Sequence, residues 1–175
     1  MTDVRLVKLT GRDLGLLADV RAREARDMGY PDAFGPAERE ELRERIERSG
    51  AFDGKELLLG IHADGRLVGE IQARSPRMGM PPGVYEIGID VYDTDDRRRG
   101  IGTHALRLMV ARLFTEERAH RVQATTDVDN AGMRGLSERC GFTYEGILRA
   151  FMPSPAGPRD YAMYAITKDD WEAAR

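Results

Sequence analysis

Between residues 97 and 103 the chain reads Arg97-Arg98-Arg99-Gly100-Ile101-Gly102-Thr103, three cations and two glycines in one short stretch. Upstream, Val84 to Tyr92 alternates as a strand does; downstream, Ile101, Ala105, Met109 and Leu113 fall on one helical stripe beside Leu106 and Val110. A turn that opens a helix just beyond a strand suits an anion. The first amides of a helix have no partner and carry about half a positive charge, and glycine lets a bulky pyrophosphate approach the backbone. Flanking arginines can hold further phosphate oxygens through paired hydrogen bonds. A plainer reading is also open: the glycines make a tight turn while the arginines pair with Asp93, Asp95 and Asp96.

Several phosphate compounds could be the ligand. Gly100, Gly102 and Ala105 satisfy the GxGxxA spacing of a dinucleotide turn, and Asp127 lies near the place of its ribose-binding acid. Against this, Asp93 to Arg99 separates the glycines from the strand, and the downstream chain reads as a hairpin rather than repeated parallel strand-helix units. A triphosphate loop needs a lysine after its last glycine, and Thr103 stands there instead.

The elements that must position this turn follow from periodicity. Val4 to Leu9 alternates as a first strand; Asp13 to Arg26 and Pro36 to Ser49 are helical, the second with only Leu42 and Ile46 as an apolar stripe. Its charges are spaced to pair as Glu41 with Arg45 and Glu44 with Arg48, as on an outer helix or a flap, and the loop Met28 to Gly35 between the helices is punctuated enough to move. Strands are predicted over Glu56 to His62, Arg66 to Ala73 across the Asp64-Gly65 turn, and Val84 to Tyr92 after the loop Ser75 to Gly83. A helix from Gly100 to Glu117, a strand from His120 to Thr126, a short helix from Asn130 to Cys140 and two strands between Thr143 and Ile166 complete the order. One mixed sheet with helices packed on it accommodates this sequence of elements.

Composition closes off other classes. With 175 residues, 41% of them hydrophobic and 33% charged, the chain can bury the core of one domain, taken as residues 1–175. Its 27 basic and 30 acidic residues give a net charge of -3, which disfavours bulk binding to nucleic acid. The lone Cys140 and the scattered His62, His104 and His120 offer no metal spacing, so no metal is expected. The run Leu57 to Ile61 is far shorter than the ~20 residues of a membrane helix, and no secretory pattern is seen, so a cytoplasmic protein without a membrane partner is predicted.

Arg97-x-x-Gly100-x-Gly102 after a strand resembles the acyl-CoA pyrophosphate signature of the GNAT superfamily of N-acetyltransferases. Asn130 followed by Leu136 to Phe142 is similar to the family's asparagine and helix ending in Gly-Phe. The tail Glu145 to Arg149, Arg159 to Tyr164 and Asp170-Trp171 looks like the RimJ and RimL branch. The fold so implied is α/β in the broad (α+β) sense, a mixed, twisted and splayed sheet of about seven strands with four main helices. Acetyl-CoA is the implied cosubstrate: Ile89 and Val91 would lend backbone groups to the pantetheine, Arg97, Arg98, Arg99, Gly100, Ile101, Gly102 and Thr103 would hold the pyrophosphate, and Asn130 would cap the short helix, touch pantetheine, or do both.

No GxSxG elbow is present, and Cys140 sits where packing is its expected role, so the amine attacks the thioester directly in a ternary complex. A lysine amine is neutral about once in 2,500 at pH 7, whereas a peptide α-amine is neutral about one time in ten. Glu86 and Asp90 share one face of their strand across Gly88; Glu86 occupies the strand where some family members carry the base, and Asp90 is read as structural. Ser137 stands where many relatives have a tyrosine and is read as a stabiliser of the leaving thiolate. Tyr30, Phe34, Phe151 and Tyr161 are the expected acceptor-site aromatics by analogy of position. The acceptor is expected to be a small-molecule or peptide amine, with a peptide or protein N-terminal α-amine preferred over polyamines and antibiotics; there is room for a homodimer. The rival readings are a CoA-binding sensor without turnover and a nucleotide-dependent oxidoreductase.

Overall fold

The computed structural model describes residues 2–75 and 82–175. Residues 76–81 of the expected loop Ser75 to Gly83 lie outside the described residues. Strands β1 (Val4–Val7), β2 (Glu56–Ala63), β3 (Arg66–Arg74), β4 (Val84–Val91), β5 (Arg121–Asp127), β6 (Thr143–Met152) and β7 (Arg159–Thr167) form one seven-stranded sheet in the order β1-β2-β3-β4-β5-β7-β6. Every neighbouring pair is antiparallel except β4 and β5. The helices are α1 (Leu14–Asp27), α2 (Pro36–Arg48), α3 (Ile101–Thr115), α4 (Ala131–Arg139) and a short α5 (Lys168–Ala173).

Alternation along the strands sends apolar side chains to both faces, because helices cover both. On one face Leu57, Leu59, Ile61, Ile71, Ala73, Ile87, Val122 and Ala124 meet the α3 stripe Ile101, Ala105, Met109 and Leu113. On the other, Leu9, Leu58 and Tyr92 meet Leu17, Ala18 and Val20 of α1 and Leu42 and Ile46 of α2. Leu42 and Ile46 are both buried, so α2 is an outer helix fastened to the sheet and not a flap.

Two expectations are corrected and two further elements are added. The first strand stops at Val7: the backbone of Leu9 exchanges hydrogen bonds with Ser49 Oγ, at 3.1 and 3.2 Å, and leaves the ladder. Arg45 does not pair with Glu41 one turn away; it reaches down to the sheet and grips Glu56 with two bonds of 2.7 and 2.9 Å. A 3-10 turn, Thr94–Asp96, interrupts the loop after β4, with the Asp93 side chain accepting from the Asp95 amide. Beyond β7, Thr167 and Asp170 form a reciprocal cap that starts α5, and Trp171 packs on Phe114 with ring centroids 5.3 Å apart.

The hairpin between β2 and β3 turns on Asp64 and Gly65 at φ 51° and 82°, the paired positive values a two-residue hairpin loop requires. Between β3 and β4 the backbones approach closely at Gly69, where an added Cβ would fall 2.2 Å from Asp90 O.

Candidate active site

Strands β4 and β5 pair over Val84–Arg121, Tyr85–Val122 and Glu86–Gln123, and no further. Beyond Glu86 they part, while β4 stays bonded to β3 through Val91. From Ile87 to Val91 the edge of β4 that faces β5 therefore has no strand partner. An amide-bearing chain could complete that edge as a peptide would.

At the far end of this open edge, the Asp93 to Arg99 loop delivers the chain to the start of α3. Gly100 caps the helix at φ 80°, a left-handed value that favours glycine, and Arg98 takes the same region at φ 60°. Among the described residues, the amides of Arg98, Arg99, Gly100, Ile101, Gly102 and Thr103 have no hydrogen-bond acceptor. Six consecutive donors with the positive end of α3 behind them form an anion cradle. At Gly102 an added Cβ would meet Leu136 at 3.5 Å and Ile89 at 4.0 Å, ordinary contacts, so the protein's own packing does not demand glycine there.

The three arginines divide. Arg97 Nε donates to Val91 O at 3.1 Å and fastens the loop to the strand end. Arg99 holds the buried Asp96 at 2.7 Å, together with Arg66, which contacts both Asp96 oxygens at 2.9 and 2.8 Å. Arg98 makes no ion pair among the described residues. The turn is thus built by Arg97, Arg99 and Asp96 and leaves the amides and Arg98 open.

Glu86 stands at the vertex of the fork. Thr125 Oγ1, two residues past the last β5 pairing on the same face, donates to Glu86 Oε1 at 3.2 Å. Glu86 lines a cleft of about 980 Å³ on the face covered by α1 and α2, with Arg21, Arg45, Glu56, Gln72 and Arg74. Asp90, on the same face, is half-buried against α1 beside Glu24. Burial, then the hydrogen bond to Glu24 and repulsion from it, push the Asp90 carboxyl up to about 7, against the pull of Arg21 and Arg97. Burial alone would raise Glu24; the hydrogen bond from Asp90 and the charges of Arg21 and Arg23 outweigh it and hold Glu24 below its usual value. Arg21 pairs with buried Glu70, which also accepts from Tyr92 Oη at 3.2 Å. Asp90 is thus tied to the joint between α1 and the sheet.

The remaining expected residues fall in different places. Asn130 Oδ1 accepts from the Met133 amide at 3.0 Å and caps α4. Ser137 is fully enclosed and donates to Met133 O at 3.0 Å, which puts it in the packing of α4 and off the cleft. Cys140 packs under the start of α3, 3.7 Å from Thr103 O, and burial pushes its thiol up, away from reactivity. Phe151 on β6 and Tyr161 on β7 meet at a tilt of 48°, their ring centroids 5.5 Å apart. Tyr30 is exposed in the loop after α1, and that loop approaches the β6–β7 turn, Pro155 Cγ lying 3.1 Å from the Cβ that Gly29 lacks. Phe34 instead packs with the α1–α2 cluster and lines a smaller cavity of about 180 Å³ that shares Arg21, Glu41 and Arg45 with the cleft. Sequence reading passed over Arg74 and Gln72; once the strand is assigned, their period-two spacing with Glu70 marks them on the cleft face.

An acetyltransferase (GNAT) domain family matches residues 3–143. The chain is 31% identical over 134 residues to the protein named probable N-acetyltransferase YjcK of Bacillus subtilis (strain 168), covering 75% of this chain and 70% of that one. In three dimensions it is similar to Mycobacterium smegmatis RimJ in complex with CoA-disulfide, at TM-score 0.77 and 23% identity over 95% of this chain and 83% of that one. It is equally similar to the spermidine N-acetyltransferase of Vibrio cholerae in complex with CoA and spermine, at TM-score 0.78 and 18% identity over 97% and 98% of the two chains.

Proposed function

From the chain's membership of the GNAT acetyltransferase family, and hence its activity as an N-acetyltransferase, we propose that it moves acetyl from acetyl-CoA to the α-amine of a peptide or amino acid. The observation that carries this reading is the fork: an unpartnered strand edge running from Glu86 to a cradle of six free amides. Five residue steps of strand separate Glu86 from Val91, roughly 16 Å, a span that suits an extended pantetheine with its thioester at the vertex and its pyrophosphate on the cradle. Ile89 and Val91 lend the edge, and Arg98 is the arginine free to meet a phosphate oxygen.

Glu86 receives the proton, directly or through one water, as the amine attacks the thioester carbonyl carbon; the C–S bond breaks and CoA leaves as the thiolate. Thr125 holds one carboxylate oxygen, and the other has no hydrogen-bond partner among the described residues, on a side chain that lines the cleft. A single such base serves an α-amine, already partly neutral at pH 7, better than a fully protonated lysine or polyamine. Tyr161, Phe151 and the Tyr30 loop bound the acceptor side, and the chain from 1 to 175 acts as one catalytic domain working in the cytoplasm. Among the described residues no helix is long and apolar enough to cross a membrane.

The direct test is thiol release from acetyl-CoA with short peptides bearing free N-termini, N-blocked lysine peptides and spermidine as acceptors. Preference for the free N-termini is expected. CoA binding without turnover on any amine would leave a CoA-binding sensor, and preference for spermidine would replace the acceptor.

A further inference from the structure

Cations outnumber anions by five to four in the lining of the cleft around Glu86. Most are spent on partners: Arg45 on Glu56 at 2.7 Å, Arg48 on Asp53 at 3.2 Å, and Arg21 on Glu24 and Glu70. Arg74 and Lys55 have no ion-pair partner among the described residues, and the segment 76–81 carries no carboxylate that could supply one.

The position of Arg74 gives this its meaning. In the sheet register Arg74 is directly opposite Glu56 on one side and Glu86 on the other. Both Glu56 oxygens are taken by Arg45, and Glu86 binds Thr125 instead of Arg74. Among the described residues, then, a guanidinium is left open beside the carboxylate that takes the proton. An ammonium approaching Glu86 alone meets that charge as repulsion, and a polycation meets it repeatedly. An acceptor that brings a carboxylate turns the repulsion into a charge-assisted, two-pronged contact.

Building on the α-amine reading above, we propose that the acceptor carries a carboxylate in the same residue as its reactive amine, and that Arg74 is the specificity-determining residue that holds it, with Lys55 at the rim. Adjacent strands lie about 4.8 Å apart, a spacing that fits an amine on Glu86 and a carboxylate on Arg74 within one amino acid. The carboxylate comes either from a free amino acid or from an aspartate or glutamate at a peptide N-terminus.

Paired acceptors test this: Asp-Ala-Ala amide against Asn-Ala-Ala amide, and free alanine against alaninamide. In the native enzyme kcat/KM is expected to favour the acidic member by about tenfold, the value of one partly exposed charged contact. Whichever pair shows the larger ratio identifies the source of the carboxylate. In Arg74→Gln that ratio should fall to near one, and in Arg74→Glu it should invert, with CoA affinity by calorimetry reporting that both variants are folded. A native ratio near one, or a ratio that survives Arg74→Gln, overturns the assignment to Arg74 while α-amine acetylation stands. Turnover of spermidine alone overturns the α-amine reading, and this proposal with it.

Discussion

Thr125 and Glu86 meet across the point where two parallel strands separate, and that single contact ties a carboxylate to the open end of the sheet. Glu86→Gln keeps the acceptor for Thr125 and removes the proton sink, so kcat at neutral pH should fall by roughly 10²-fold with CoA affinity near normal. An unaltered pH-rate profile in the variant would leave Glu86 a structural residue. Asp90, on the same strand face, makes the opposite demand on pH. Its folded-state value, about 7, lies above that of the unfolded chain, so its contribution to stability is complete below the unfolded value near 3.8 and is lost as pH rises through about 7. Glu24 acts in reverse, its contribution being lost as pH falls through its lowered value. Asp90→Asn keeps a donor for Glu24 and removes the second charge beside Glu70 and Tyr92. Denaturant unfolding should show the variant more stable by roughly 2 kcal/mol at pH 8, with the gap closing toward pH 4.

At the scale of elements, the cradle depends on α3 beginning where it does, with its first amides open. Gly102→Ala has room in the protein, 3.5 Å from Leu136, and should fold while weakening CoA; Gly102→Glu should fold and lose CoA binding altogether, by bulk and by charge. Calorimetric titration of the two variants decides, and unchanged affinity in folded Gly102→Glu would remove the pyrophosphate from this turn. The α3 stripe and the glycine turn were legible because they are local, period and punctuation within about fifteen residues. The pairing of Arg45 was not: its partner on the helix, Glu41, satisfies the i,i+4 rule, and only the fold brings Glu56 close enough to win with two bonds. The sequence offers Asp96 as one of three acids to pair with the arginines, and Arg99 does take it; what no local pattern shows is its burial between Arg66 and Arg99, which makes it the post on which the turn is hung. Ser137 was assigned from its place in a motif, and its helix turns it inward. Arg74 needed strand register, which no local pattern carries.

For the whole molecule, binding and stability are linked. A ligand that spans the fork and the cradle binds the folded chain alone, so saturating CoA should raise the thermal midpoint, by the equivalent of about 2.7 kcal/mol at a hundredfold excess over Kd. Gly102→Glu should show no such rise. Among the described residues, three register pairs between β4 and β5, with the Thr125–Glu86 bond beside them, join β1–β4 to β5, β7 and β6 within the sheet, and α3 packs across both parts. This has a consequence in the time domain. Amides along Ile87 to Val91 that point into the gap are not locked by a neighbouring strand, so in the free protein they should exchange with deuterated solvent far sooner than their β3-facing neighbours. Acetyl-CoA would then behave as a removable strand. Its arrival should slow exchange along that edge and across the β4–β5 seam together, and its departure after each turnover should return the sheet to two loosely sutured halves.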